Sequence, residues 1–84
     1  MEKQIKVLLA DADAEYTNAM AKQLSEDFNI NVCGIASDGF QVLEMVDINK
    51  PDVVIMNVIL PRLDGISVLE RMSNRNSDNV PKFI

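Results

Sequence analysis

Histidine and tryptophan are absent from this chain, and cysteine occurs once. Without imidazole there is no histidine-based acid–base chemistry near neutral pH, and most zinc sites are excluded. The lone Cys33 cannot close an internal disulfide, so the composition fits a reducing compartment and a cytoplasmic protein. No apolar run approaches the roughly 20 residues of a membrane span. Met1-Glu2-Lys3-Gln4 leads straight into a strand-like run rather than a signal peptide. Positive charge is also scarce: 8 Lys and Arg stand against 13 Asp and Glu, a formal net charge of −5. An acidic surface repels phosphate backbones, which argues against direct nucleic-acid binding by this segment.

What remains is the composition of an ordinary folded domain, 48% hydrophobic and 25% charged. A length of 84 residues suffices for one domain and not for two. Ile5 to Ala10 is short, mostly apolar and followed by acids, the pattern of a strand buried on both faces. Asp13 is an N-cap for a helix running to about Phe28, in which Tyr16, Met20, Leu24 and Phe28 form an apolar stripe beside Ala19. Ile30 to Ala36 reads as a second strand, and Ser37-Asp38-Gly39 as a turn that caps a second helix. Val42, Leu43, Met45 and Val46 give that helix its apolar side, and Lys50-Pro51-Asp52 stops it. Val53 to Met56 is a fully apolar third strand, hence central. Asp64 caps a third helix with Ile66, Leu69 and Met72 on one face and Val68 nearby. Ser73 to Asn79 reads as a polar linker, and Val80 to Ile84 as the start of a fourth strand.

The order β-α-β-α-β-α-β predicts an α/β fold, a parallel doubly wound sheet with helices on both faces. Such sheets place their ligand site at the carboxyl ends of the central strands. Here those ends are Asp11-Ala12-Asp13 and Asn57.

Asn57-Val58-Ile59-Leu60-Pro61-Arg62-Leu63-Asp64-Gly65 resembles the loop after the third strand of response-regulator receiver domains. The family pattern is an aspartate, a proline four positions on, then Asp-Gly. Pro61, Asp64 and Gly65 match it, while Asn57 stands at the aspartate position. The family also keeps an acidic pair after its first strand to hold magnesium. Asp11 matches that pair and Ala12 replaces its second acid. Gly34 to Gly39 and Leu63 to Glu70 are most similar to the receivers of the stage zero sporulation protein A transcription factors. The resemblance covers essentially the whole chain and implies a flavodoxin-like fold, truncated within its fourth strand. It implies residues 1–84 as one receiver-like domain lacking the fourth-strand Ser/Thr, the fifth-strand Lys and the helices of the usual signalling face, whether as a fragment or as a natural remnant.

The departures carry the functional expectation. An amide is a far weaker nucleophile than the carboxylate that attacks phosphorus in this family. Asn57 and Ala12 together take the three-acid site from a formal −3 to −1. Asp11, with the Ile59 backbone carbonyl that the resemblance implies, would hold Mg²⁺ weakly if at all, because magnesium wants several hard oxygen ligands. No cofactor is expected. A blander account treats Asn57 as a strand-end polar residue, Asp11, Asp13 and Asp64 as local caps, and Pro61 as a loop-shaping residue. Met20, Met45 and Met72 read as core, and Cys33 as a small buried hydrophobe rather than a redox sensor.

The chain offers no credible nucleophile–base pair, so we expect a binding module and not an enzyme. The expected function is a pseudo-receiver of a sporulation-type response regulator; the alternative is a phosphoacceptor receiver of a phosphorelay controlling transcription. Expected partners are a second copy or another signalling protein, with a DNA-binding effector domain possible beyond residue 84 and no membrane. Self-association would use the Tyr16 to Phe28 stripe and the fourth-strand edge, or exchange of the C-terminal segment about the Ser73 to Asn79 linker.

Overall fold

Four strands and three helices alternate along the chain in the computed structural model, which describes residues 3–75 and 80–84. The strands are β1 (Ile5–Ala10), β2 (Ile30–Ala36), β3 (Val53–Met56) and β4 (Lys82–Phe83); the helices are α1 (Ala14–Leu24), α2 (Gly39–Asn49) and α3 (Gly65–Ser73). All pairings are parallel, in the spatial order β2-β1-β3-β4. The chain therefore steps one way from β1 to β2, then back across to β3 and on to β4. Right-handed crossovers put α1 on one face of the sheet and α2 with α3 on the other. This is the flavodoxin-like receiver fold. The two interior strands, β1 and β3, are the runs richest in uninterrupted apolar residues, as burial on both faces requires.

The larger core lies under α2 and α3. Leu8, Ala10 and Val54 from the sheet meet Val42 and Val46 of α2, Val68 and Met72 of α3, and Leu60 of the loop between β3 and α3. Leu8, Val42, Val54 and Val68 are completely buried. The register of β1 on β2 slips between Val7–Val32 and Leu8–Gly34, so Cys33 has no partner across the strand pair. Its carbonyl accepts a hydrogen bond of 3.0 Å from the Asn49 side chain at the end of α2. Cys33 is half-buried at this bulge, not fully enclosed.

The helices depart from expectation in their faces and ends. The first stops at Leu24, four residues before Phe28. Ser25 closes it by donating its backbone N–H to the Ala21 carbonyl at 2.9 Å. Asp27 then accepts the Asn29 N–H through its side chain at 2.9 Å, a local bond that competes with further helix. The buried side of α1 runs through Thr17, with Met20, Ala21 and Leu24 half-buried, while Tyr16 and Phe28 are exposed. Thr17 serves in that face because its hydroxyl donates within the helix, to the carbonyls of Asp13 or Ala14. In α3 the buried side is Gly65, Val68 and Met72; Ile66 and Leu69 are exposed. Lys50 ends α2 in the left-handed conformation, φ 48°, directly before Pro51. The expected fourth strand is realised at Lys82–Phe83 alone, on the edge of the sheet. Ser73 belongs to α3, and residues 76–79 of the expected linker lie outside the described residues.

Candidate functional site

Register brings the two strand ends together. Ala10 pairs with Met56, so Asp11 and Asn57 leave the sheet side by side. The Asn57 N–H donates to the Ala10 carbonyl at 2.9 Å, and the Asp11 N–H to the Ala36 carbonyl at 3.0 Å. The Asn57 side-chain amide then donates to Asp11 Oδ2 at 3.2 Å. Asn57 Oδ1 accepts the Ile59 N–H at 3.1 Å. The other Asp11 oxygen accepts the Asp13 N–H at 3.0 Å. Each carboxylate oxygen of Asp11 thus has a hydrogen-bond donor from this chain. Asp13 is the N-cap of α1, accepting from Glu15 and Tyr16 at 3.1 and 3.2 Å. Ala12 is exposed between them and brings no oxygen to the site beyond its backbone carbonyl.

Backbone contacts hold the loop that follows. The Gly65 N–H donates to the Val58 carbonyl at 2.8 Å, and the Leu63 N–H to the Pro61 carbonyl at 2.7 Å. A Cβ on Gly65 would come within 2.9 Å of Val58 Cα, so glycine is needed there for close approach. Asp64 caps α3 by accepting from the Ser67 N–H at 2.8 Å. Pro61 and Ile59 are exposed on the loop, and Leu60 turns into the core. Asp11 and Asn57 thus meet at the strand ends with the exposed Ala12 beside them, Ile59, Pro61 and Asp64 are exposed along the loop that follows, and Gly65 is buried where that loop joins α3. Asp64 is in its cap role. No cluster of three acidic, cysteine or histidine ligands suited to a metal ion occurs among the described residues. Asp11 brings one carboxylate to the strand ends and Asn57 a neutral amide.

An open groove continues from Asp11 and Asn57 down the α1 face of the sheet. Leu9 and Ile55 form its floor, with Tyr16, Thr17 and Met20 along the helix side. It is apolar below and acidic at its mouth.

The pattern of residues gave no hint of a second cluster, around the turn between β2 and α2. Asp38 caps α2 by accepting the Gln41 N–H at 2.8 Å, is buried, and lies 3.8 Å from the Arg62 guanidinium. Arg62 and Arg71 both lie over the half-exposed Phe40 ring, 5.8 and 5.6 Å from its centre. Arg62 holds φ 69°, a left-handed conformation uncommon outside glycine and asparagine. Gly39 packs so tightly on the Leu63 carbonyl that a Cβ would sit 2.0 Å from that oxygen. The loop after β3 is thereby fastened to the start of α2. Nothing short of the fold would reveal this, since the partners lie more than twenty residues apart.

Comparison with known proteins agrees with this architecture. A family model described as the response regulator receiver domain matches residues 7–84. A protein-glutamate methylesterase/protein-glutamine glutaminase of Methanospirillum hungatei is 37% identical over 80 residues, covering 95% of this chain and 23% of the relative. One from Lawsonia intracellularis is 42% identical over 65 residues, covering 77% of this chain and 18% of the relative. The chain thus spans about a fifth of the length of these curated relatives. Among solved structures, the response regulator domain of Thermotoga maritima CheB superposes with a TM-score of 0.79 at 23% identity, over 98% of this chain and 78% of that one. The receiver domain of the Mycobacterium tuberculosis response regulator NarL gives 0.80 at 26% identity, over 86% and 58%. The chain belongs to the response regulator receiver family.

Proposed function

We propose that this receiver domain is a pseudo-receiver: a signalling module that works by regulatory protein–protein binding and not by phosphotransfer or other catalysis. The observation that carries the reading is the 3.2 Å hydrogen bond from the Asn57 amide to Asp11. It puts a neutral donor against the remaining acid of the strand-end site. In the phosphotransfer chemistry that the family resemblance implies, a carboxylate at this place attacks phosphorus and Mg²⁺ neutralises the converging charges. Asn57 supplies no carboxylate, Ala12 supplies no second acid, and Asp11 already has a donor on each oxygen. Magnesium then binds weakly at most, and no other cofactor is required.

The partner is another signalling protein, an effector domain of the same polypeptide, or a second copy. Regulation of a methylesterase-type effector is supported by the names of the relatives. A sporulation-type transcriptional output is supported only by the Gly34 to Gly39 and Leu63 to Glu70 segments. The groove under Tyr16 and Met20 and the edge of β4 are surfaces through which association of two copies would bury apolar area.

The test is intact-mass analysis after incubation with acetyl phosphate and Mg²⁺, beside a receiver that is labelled under the same conditions. No phosphoryl adduct is expected. A labile adduct mapped to Asn57 or Asp11 overturns the proposal and restores the reading of a working phosphorelay receiver.

A further inference from the structure

We propose a second interaction surface, independent of the strand-end site: the Arg62–Phe40–Arg71 cluster of one copy receives the Glu26-Asp27-Phe28 corner of another, so that copies associate head to tail. The argument begins with the phenylalanines. Of the three, Phe28 and Phe40 are exposed, at 79% and 43%. Their charged neighbours differ in sign. Phe40 has two guanidiniums over its ring, whereas Phe28 follows two exposed acids. The ion pairs among the described residues are Arg62–Asp38 and Arg75–Asp47. Arg71, Glu26 and Asp27 therefore have no charge partner within the described residues. An exposed aromatic ring under two guanidiniums, of which Arg71 has no charge partner among the described residues, complements one beside two such acids.

Both patches are held in shape. The acidic corner is fixed by the Asn29 N–H on Asp27 Oδ1 at 2.9 Å, by Ile30 N–H on the Asp27 carbonyl at 3.0 Å, and by the Gln4 amide on the Phe28 carbonyl at 2.7 Å. The basic patch is fixed by Gly39 against Leu63 and by the Asp38–Arg62 pair. Position decides the mode of assembly. The two patches sit at opposite ends of β2, an edge strand of seven residues and roughly 20 Å, so one copy cannot join them internally. A contact between unlike patches is heterologous and propagates from copy to copy. The surfaces are small, so each contact is weak and exchanges rapidly.

Sedimentation velocity and amide NMR on a dilution series of the whole chain test this. Wild type should associate with concentration, with shift changes at residues 26–28, 38–41 and 71, and should weaken as salt is raised. Arg71→Glu and Glu26→Arg, both exposed changes, should each weaken association by roughly tenfold, since an exposed charge pair turns from attraction to repulsion. Glu26→Arg leaves the Asp27–Asn29 bond in place. An equimolar mixture of the two variants should recover wild-type association, because each then meets a complementary patch. Ile84→Asp, an exposed change beside the β4 edge, should leave association unchanged. A wild type that stays monomeric at millimolar concentration refutes the proposal. So does association that survives both charge reversals and is lost in Ile84→Asp, the result expected of pairing through the sheet edge.

Discussion

Replacing Asn57 by aspartate puts a carboxylate oxygen where the amide nitrogen stands, 3.2 Å from Asp11 Oδ2. At that separation two unit charges repel by about 1 kcal/mol in water and about 5 kcal/mol at an effective dielectric of 20. Asn57 is exposed and Asp11 half-buried, so the lower figure is the better guide. The lost hydrogen bond adds about 1 kcal/mol, while the bond from Ile59 N–H to the side chain survives. Asn57→Asp should therefore cost about 2 kcal/mol, a fall of roughly 8–16 °C in Tm for a chain of this size. The sign with pH follows from proton binding. In the unfolded variant the two acids are apart, whereas in the folded variant they are adjacent and hold a shared proton more tightly. The deficit against wild type is full at neutral pH and shrinks as pH falls to about 4, where one of the pair protonates. Millimolar Mg²⁺ should recover several degrees in the variant and none in wild type, because only the variant offers two carboxylates to one cation. Swapping the groups, Asp11→Asn with Asn57→Asp, should restore most of the loss without magnesium. Thermal unfolding followed by circular dichroism at pH 7 and pH 4, with and without Mg²⁺, reads all four. A variant as stable as wild type at pH 7, or a wild type stabilised equally by Mg²⁺, refutes the reasoning.

Gly39→Ala should destabilise by about 2–4 kcal/mol although alanine favours helices, because its Cβ would meet the Leu63 backbone oxygen at 2.0 Å and the fastened loop must move; a Tm equal to or above wild type contradicts that packing. Burial pushes the Cys33 thiol above the ordinary thiol range, against the pull of the Lys6 ammonium, and Asp52 adds to the rise. Its reaction with a disulfide reagent at pH 8 should accordingly be several-fold slower in the folded chain than in urea. Because the unfolded thiol ionises first, stability should fall as pH rises past about 8.5, a slope that Cys33→Ala removes. Equal rates in folded and unfolded chains would disprove this.

Strand positions were legible because β-branched apolar runs between polar breaks have few other uses. β1, β2 and β3 fall where Ile5 to Ala10, Ile30 to Ala36 and Val53 to Met56 indicate. The caps were legible too: Asp13, Asp38 and Asp64 each accept backbone N–H groups at a helix start. Helix faces were less so. Periodicity puts Tyr16 in line with Met20 and Leu24, and Ile66 in line with Leu69. Whether a neighbour covers that line depends on tertiary packing, and small Thr17 and Gly65 take the buried places. The candidate site was legible as residues and not as bonds. The rule of strand ends places Asp11 near Asn57, but the amide-to-carboxylate bond depends on the register of β1 on β3. Arg62, Phe40 and Arg71 come from three separate segments and have no common signature.

The loop from Val58 to Gly65 keeps its shape through contacts that do not involve side-chain charge at positions 12 or 57. Gly65 closes on Val58 through the backbone, Gly39 packs on the Leu63 carbonyl, and Leu60 is anchored in the core beside Val54 and Val68. The one side-chain bond in its first turn, Ile59 N–H to Asn57 Oδ1, is one that an aspartate oxygen accepts equally well. An acid at either position thus changes the electrostatics of the strand ends more than the surface the loop presents. Phosphate chemistry and surface recognition are separable in this fold, since they rest on different atoms. Under the proposed function, a receiver with Asn57 and Ala12 keeps the second without the first, and that separation is the physical basis of the proposal that this chain is a binding module.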